Sequence, residues 1–167
     1  SLKVARLNGT TPQPTVQPEG WRCSGRASKA WPDKETREWW EDKGPDMLSK
    51  YLTFRTESDW KLAYMPDGKP AIELDVSGQL VDVPLVGYLD RVMYTPNGDL
   101  AVVDIKSGAN MPSKAEQLGL YAVMLELMGM PKPPYGYFYN WRRGAMSDPF
   151  SLADYDLATT ALYDTDT

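Results

Sequence analysis

A three-residue turn between two alternating apolar runs constrains the fold of this chain more than any other feature. The turn is Pro96-Asn97-Gly98, and the runs cover residues 84–95 and 100–107. Pro is preset for the first central position of a type I turn, Asn tolerates the second, and Gly accepts the left-handed third. The sequence therefore predicts an antiparallel hairpin with a three-residue, bulged loop.

The length of this turn decides which residues face each other across the hairpin. Counting back from a three-residue loop places Asp90 opposite Asp104 on one face of the sheet. Lys106 shares that face, because side chains at positions i and i+2 of a strand point the same way. A two-residue turn would instead put Asp90 and Asp104 on opposite faces. The predicted register brings two carboxylates and an ammonium together.

Further strands are predicted on both sides of the hairpin. Residues 70–76 alternate in polarity, which predicts a strand with Ile72 and Leu74 on one face and Glu73 on the other. Residues 135–141 alternate aromatic and smaller side chains and predict another strand, and residues 149–152 predict a short return strand.

Helices are predicted before and after the hairpin. Residues 33–43 are good helix formers that end at Gly44-Pro45, and a second helix is expected to begin at Asp46. A capping box at residues 113–116 opens a later helix that ends near Gly129. Its predicted core stripe is Leu118, Ala122, Leu125 and Met128. The order of elements predicts an α/β sandwich with a mixed central sheet flanked by helices.

Composition limits the chemistry. The 167 residues include no histidine, which removes the usual general base and the commonest zinc ligand. The single Cys23 excludes an internal disulfide and an iron–sulfur cluster, and a reducing compartment is expected. A net charge of −5 argues mildly against non-specific nucleic-acid binding. No run approaches the roughly 20 apolar residues of a membrane span, so we expect a soluble, cytoplasmic protein with no membrane partner.

The ends of the chain differ from its middle. Residues 1–20 contain three prolines and almost no apolar periodicity, so we expect an extended or disordered lead-in. A single domain is expected over residues 21–167, incomplete at its C-terminus. The sequence does not specify the oligomeric state.

The carboxylates on the hairpin have a chemical use. Asp90 and Asp104 offer hard anionic oxygens that suit Mg²⁺ or Mn²⁺, and Glu73 could extend the cluster. Lys106 could orient or deprotonate a water, or stabilise charge on phosphorus. The alternative is a solvated strand face whose charges form weak cross-strand ion pairs. Spacing alone leaves both interpretations open.

Three ordered motifs carry more specific information. They are G-Y-L-D-R-V at residues 87–92, V-D-I-K-S-G at 103–108 and Q-L-G-L-Y at 117–121. Together they resemble the PD-(D/E)XK nucleases of the RecB-like exonuclease branch, which includes phage and CRISPR-adaptation nucleases. The resemblance covers residues 70–141 and implies a restriction-endonuclease-like fold and a Mg²⁺- or Mn²⁺-dependent deoxyribonuclease.

The resemblance also implies residue roles. Asp90, Asp104 and the backbone carbonyl of Ile105 would bind the metal, Lys106 would be the catalytic lysine, and Glu73 would face the metal or a bound water. Gln117 and Tyr121 would position the substrate strand, their alternative roles being a surface amide and an aromatic residue at the edge of the core. Arg91 is expected to pair with a carboxylate of the chain itself.

One departure concerns the missing histidine. Many members of the branch carry a histidine ligand on an N-terminal helix, and Asp46 lies where that residue could fall. Asp46 is also a good helix N-cap after Gly44-Pro45, so both roles stay open.

The hypothesis is therefore a metal-dependent DNA exonuclease of phage or bacterial DNA processing, recombination or repair. An alternative is a non-catalytic DNA-binding or scaffold module that retains the nuclease fold. A third is an aromatic-rich ligand-binding β module, which would require Tyr135, Tyr137 and Tyr139 to be exposed.

Overall fold

The computed structural model describes residues 37–80 and 83–156, and the chain divides into two compact units, Ser1–Asp46 and Met47–Thr167. The predicted lead-in at residues 1–20 lies outside the described residues. In the first unit, the described residues form the start of helix α1, Arg37–Glu57, which continues into the second unit. No helix in the described ranges is both long and apolar enough to cross a bilayer.

Helix α1 overturns the prediction of two helices separated at Gly44-Pro45. Pro45 lies inside one continuous helix, and Asp46 is an interior helical residue rather than an N-cap. A proline inside a helix has two costs. It removes one hydrogen bond, because it has no N–H to donate, and its ring crowds the preceding turn. The helix formers on either side supply enough hydrogen-bonded turns to offset these costs.

A mixed sheet forms the centre of the second unit. In the described ranges it has seven strands, and its middle is formed by β5 Tyr88–Tyr94, β6 Leu100–Lys106 and β7 Tyr135–Asn140. Strand β5 pairs antiparallel with β6, and β6 pairs parallel with β7. The other strands of this sheet are β1 Lys61–Leu62, β2 Ile72–Asp75, β8 Ala145–Met146 and β9 Phe150–Ser151.

Each face of this sheet is covered by helix residues. Tyr51 and Phe54 of α1 pack against one face beside Val103 and Tyr139. Helix α2, Glu116–Leu127, packs against the other face. The predicted α/β sandwich is therefore confirmed, and it is consistent with a restriction-endonuclease-like fold.

The predicted hairpin register is confirmed. Tyr94 pairs with Leu100 and Arg91 with Val103, so one step further along brings Asp90 opposite Asp104. The Thr95 N–H donates to the Asp99 carbonyl at 2.8 Å across the three-residue loop. Gly98 has a φ of 89°, the left-handed conformation that the turn requires.

The strand expected at residues 84–95 is divided. Residues Val83–Leu85 form β4, which pairs with β3, Gly78–Leu80, in a separate two-stranded sheet. Strand β5 begins only at Tyr88. The segment between β4 and β5 includes Gly87, whose N–H donates to the Ser77 hydroxyl at 3.2 Å and whose carbonyl accepts from the Val76 N–H at 2.9 Å.

The alternation expected at residues 70–76 is broken at Glu73. Ala71 and Val76 are buried, whereas Ile72, expected to face the core, is 39% exposed. Glu73 has a φ of 47°, outside the β region. A residue with positive φ interrupts the regular pleat of the strand. The buried residues before and after it, Ala71 and Val76, are therefore five positions apart instead of an even number. The strict period-two prediction was wrong here.

Helix α2 begins two residues later than predicted. Its N-cap is Ala115, which makes no side-chain capping bond, so the expected capping box at Ser113 is wrong. The helix end is as predicted, with Gly129 at a φ of 87°. The helix buries most residues from Leu118 to Leu125, but Met128 is 39% exposed and lies outside the core.

Two close approaches explain why this helix is buried almost all round. The ring of Tyr155 lies where a side chain at Gly119 would be, and the side chain of Leu118 fills the corresponding place at Gly136 of β7. Glycine at both positions lets the helix approach the sheet and the C-terminal segment closely.

The aromatic strand packs into the core. Tyr139 is 1% exposed, and Tyr137 meets Trp60 edge to face at 4.9 Å between ring centroids. A ligand-binding face of exposed tyrosines is therefore contradicted. The short return strand is confirmed as β9, which pairs with β7.

Candidate active site

Strand β6 carries the central pair of the site. Lys106 Nζ lies 2.6 Å from Asp104 Oδ2, and the side chains are 32% and 8% exposed, respectively. Both side chains leave the same face of β6, which is the face covered by α2. Lys106 Nζ also lies 5.7 Å from the centroid of the Phe138 ring on the neighbouring strand. The site is therefore a charged pair at the edge of an apolar core.

Burial raises the pKa of Asp104 above its ordinary value, because the carboxylate loses water. The nearby Asp90 carboxylate adds to the rise, and the ammonium of Lys106 opposes it. Oδ2 of Asp104 is buried, and the Lys106 ammonium lies against it at 2.6 Å. This oxygen is therefore poorly solvated in a site where a cation would be favoured.

Asp90 is fixed by the backbone of the opposite strand. Its Oδ2 accepts a hydrogen bond from the Ile105 N–H at 2.7 Å. In this register the next hydrogen-bonded pair after Arg91 and Val103 would be Leu89 and Ile105, but the pairing stops before it. The carboxylate replaces a backbone partner at this point.

The carbonyl of Ile105 faces the same side as its N–H. Within a strand, both polar groups of one residue point toward the same neighbouring strand. Trp141 N–H donates to the Lys106 carbonyl at 3.0 Å, which shows that Lys106 faces β7 and Ile105 faces β5. The Ile105 carbonyl is therefore directed toward the strand that carries Asp90.

Helix α2 connects to the site through Gln117. Lys106 Nζ donates to Gln117 Oε1 at 3.5 Å, and Gln117 Nε2 donates to the Tyr121 hydroxyl at 2.9 Å. Gln117 is exposed and Tyr121 is 7% exposed. The structure thus brings Lys106, Gln117 and Tyr121 into one hydrogen-bonded chain.

A groove of about 220 Å³ opens beside this chain of hydrogen bonds. Its lining is mainly apolar and comes from α2 and from the segments just before β3 and just after β4, namely Val76, Val86, Gly87, Gln117, Leu120, Tyr121 and Met124. The groove shares Gln117 and Tyr121 with the site.

The remaining predicted acids are placed differently. Glu73 lies on β2, in the gap between the registered pairs Ile72 with Arg91 and Leu74 with Leu89. It is therefore level with Asp90 along the sheet. In the described ranges, no group of three or more acidic, histidine or cysteine side chains is arranged to hold a metal ion. Asp46 belongs to the first unit, inside α1.

The donors that do converge suit a hard divalent cation. They are two neighbouring carboxylates, one with a buried oxygen that contacts the Lys106 ammonium at 2.6 Å, and a backbone carbonyl directed to the same side. Mg²⁺ and Mn²⁺ prefer such oxygen ligands and retain several waters, so two carboxylates are sufficient. Asp90, Asp104 and the Ile105 carbonyl are therefore suitable ligands for Mg²⁺ or Mn²⁺.

Some contacts near the site were not anticipated from the sequence. Arg91 Nε donates to the Tyr51 hydroxyl at 3.3 Å, and its Nη1 donates to the Asp90 carbonyl at 3.0 Å. Arg91 therefore has partners in the chain, as expected, but the described ones are a hydroxyl and a carbonyl rather than a carboxylate.

Asn140 is fully buried at the end of β7. The sequence feature that could have indicated its buried role is a polar residue on the core-facing side of an otherwise apolar strand.

Comparison with known proteins identifies the family of this chain. Residues 5–148 match the PD-(D/E)XK nuclease superfamily, so the chain belongs to this superfamily. Its members are generally nucleases and typically use divalent metal ions. The match begins inside the segment that was expected to be a lead-in.

A curated relative comes from a bacteriophage. The Gene 69 protein of Mycobacterium phage D29 is 31% identical over 137 residues, which cover 72% of this chain and 49% of that protein. The chain thus spans about half the length of this relative.

Proposed function

We propose that this chain is a Mg²⁺- or Mn²⁺-dependent deoxyribonuclease that hydrolyses phosphodiester bonds at the site formed by Asp90, Asp104 and Lys106. The observation that carries the proposal is the ion pair between Lys106 and the buried Asp104, next to an Asp90 carboxylate held by the Ile105 N–H. Membership of the nuclease superfamily supports the reaction class.

In this proposal Asp90, Asp104 and the Ile105 carbonyl hold the metal ion. A bound divalent ion would supply Lewis-acid stabilisation of charge on the phosphate and would lower the pKa of a coordinated water. Hydrogen bonding from Ile105 keeps the Asp90 carboxylate in place, so the two carboxylates lie ready before the ion binds. Such preorganisation reduces the cost of assembling the site.

Lys106 acts on the reacting water or phosphate in this proposal. Its ammonium can orient the attacking water by hydrogen bonding, and it can stabilise the negative charge that builds on the phosphate oxygens. The Gln117 side chain holds Nζ from the other side, at 3.5 Å. We therefore assign Gln117 and Tyr121 to positioning both Lys106 and the substrate strand.

Glu73 and Asp46 have supporting roles in the proposal. Glu73, level with Asp90 on β2, would contact a water bound to the metal ion. Asp46 would supply the carboxylate that replaces the histidine found in many relatives. Its position inside α1 supports this role only by removing the alternative of a helix cap.

We further propose that the enzyme is an exonuclease of phage or bacterial DNA processing, recombination or repair, that it acts in the cytoplasm, and that residues 21–167 contain one nuclease domain. The phage relative supports the setting. The resemblance to the RecB-like branch at residues 87–92, 103–108 and 117–121 supports the exonuclease activity.

The test is cleavage of end-labelled linear DNA beside a covalently closed circle, with Mg²⁺, with Mn²⁺ and with EDTA. The expected result is metal-dependent loss of the linear DNA alone, which is absent in Asp104→Ala. Cleavage of the circle would show an endonuclease instead. Metal binding without cleavage of either DNA would favour the non-catalytic module that retains the nuclease fold.

A further inference from the structure

The turn that follows β7 lies at the same sheet edge as the proposed site. Strands β6 and β7 are parallel and in register from Ala101 with Tyr135 to Lys106 with Asn140. The carboxyl ends of parallel strands meet at one edge of a sheet, where α/β proteins bind ligands. The residues after Asn140 therefore emerge beside Lys106.

Asn140 fixes this turn from inside. Its side chain is fully buried, and its Oδ1 accepts a hydrogen bond from the Arg143 N–H at 3.1 Å. Its Nδ2 donates to the Gly108 carbonyl at 2.9 Å, and its own carbonyl accepts from the Gly144 N–H at 2.8 Å. One buried amide thus joins the turn to the segment that follows Lys106.

Arg142 adds a second connection to that segment. Its Nε donates to the Ser107 carbonyl at 2.5 Å. The Trp141 N–H donates to the Lys106 carbonyl at 3.0 Å. The backbone from Lys106 to Gly108 is therefore joined to residues 140–144 by three hydrogen bonds.

Arg143 is the exposed basic residue that this rigid turn presents. The chain has a net charge of −5, so contact with a polyanion must depend on locally placed cations. An arginine on a fixed backbone loses less conformational freedom on binding than one on a mobile loop, and its guanidinium matches phosphate geometry.

We propose that Arg143 binds a backbone phosphate of the substrate strand, next to the phosphate that reacts at Asp104 and Lys106. This inference rests on the proposed function, because it takes the substrate to be DNA. It assigns Arg142 and Asn140 to holding the turn and Arg143 to the contact. A phosphate contact of this kind contributes affinity and register, without base specificity.

The test compares Arg143→Gln with the wild-type protein in two assays. The first is fluorescence anisotropy of labelled DNA in EDTA at several salt concentrations. The second is the cleavage rate with Mn²⁺. Arg143→Gln should weaken binding about tenfold, as for the loss of one hydrogen bond to a charged group. It should also reduce the slope of log affinity against log salt by about one. The value of kcat/KM should fall with little change in kcat.

Lys61→Gln is the matched control. Lys61 is exposed and pairs with Tyr94, at the opposite end of β5 from Asp90. The control should bind and cleave as the wild type does, and Arg143→Lys should recover part of the affinity because it restores the charge.

Two results separate the inference from the proposed function. If Arg143→Gln cleaves DNA as fast as the wild type and its DNA affinity has the same salt dependence, the phosphate contact is overturned and the proposed nuclease activity stands. Weaker binding by Arg143→Gln in a protein that cleaves no DNA would overturn the hydrolysis and support the contact.

Discussion

The Asp90 carboxylate accepts a hydrogen bond from the Ile105 N–H at 2.7 Å, in the place of a backbone partner. The side chain therefore belongs to the hydrogen bonding of the sheet as well as to the proposed metal site. These two uses depend on different properties of the carboxylate. The sheet needs only an oxygen acceptor, whereas the metal ion needs negative charge.

Substitution of Asp90 should separate them. Asp90→Asn keeps an oxygen that can accept from Ile105, so stability should stay close to wild type while Mn²⁺-dependent cleavage is lost. Asp90→Ala removes the acceptor and should also lower the free energy of unfolding by about 1–3 kcal/mol, the cost of an unpaired N–H. Urea denaturation and cleavage of linear DNA measure the two effects. Equal stabilities of the Asn and Ala variants would contradict this assignment of the hydrogen bond.

Removal of the Lys106 ammonium should slow hydrolysis without preventing metal binding. Lys106→Met keeps a long apolar side chain over Phe138, which Lys106 Nζ approaches to 5.7 Å. The rate should fall about 10²–10³-fold, as when one group that stabilises the transition state is removed. Calorimetric titration with Mn²⁺ checks that the metal site persists. Lys69→Met, on an exposed loop where Lys69 pairs with Asp67 at 2.9 Å, is the control. Normal cleavage by Lys106→Met would place the catalytic group elsewhere.

The sequence predicted the centre of the fold well because local chemistry decides it. The turn at Pro96-Asn97-Gly98 sets the register that places Asp90 beside Asp104, and the structure has that register. Turn geometry depends on three residues and their own φ preferences, so no distant contact is needed to read it.

What the sequence did not predict has two causes: backbone conformations that residue preferences disfavour, and contacts that the local sequence does not contain. Helix α1 continues through Pro45, and the alternation of β2 slips at Glu73, where φ is 47°. The role of Asn140 depends on Gly108, which is 32 residues away in the chain. A polar residue in an aromatic strand indicates that a partner exists, but only the packed structure shows which one.

Tyr121 should affect substrate binding through Gln117. Tyr121→Phe keeps the ring in the core but removes the hydroxyl that accepts from Gln117 Nε2 at 2.9 Å. The stability cost should be about 0.5–1.5 kcal/mol, the net value of one hydrogen bond. KM for DNA should rise several-fold as the amide loses its fixed orientation. Tyr64→Phe, at a tyrosine that is 61% exposed, is the matched control. An unchanged KM in Tyr121→Phe would restrict Tyr121 to packing.

Asp46 gives a direct test of the residue that replaces histidine. Because Asp46 lies inside α1, Asp46→Asn removes charge without removing a helix cap. Fewer anionic ligands weaken a hard cation site, so Mn²⁺ affinity should fall about tenfold or more. Asp42→Asn is the control, since Asp42 lies one turn earlier and pairs with Lys43 at 2.9 Å. Equal Mn²⁺ affinities in the wild type and Asp46→Asn would exclude Asp46 as a ligand.

Asp104 should make the metal-free protein less stable at neutral pH than it would be with an uncharged residue. Burial raises the pKa of Asp104 in the folded state, above an unfolded value of about 3.9. The folded state then binds the proton more tightly, so stability falls as the pH rises from about 4 through the folded pKa.

Asp104→Asn carries no such charge, and it should be more stable than the wild type by about 0.5–2 kcal/mol at pH 8, the usual gain at a strained functional residue. The difference should shrink toward pH 4. Mn²⁺ should reverse the order, because a ligand that binds only the folded wild type raises its Tm. Thermal unfolding at pH 4 and pH 8, with Mn²⁺ and with EDTA, measures all four cases. A lower Tm for Asp104→Asn in EDTA at pH 8 would mean that the ion pair with Lys106 outweighs the cost of burying the carboxylate.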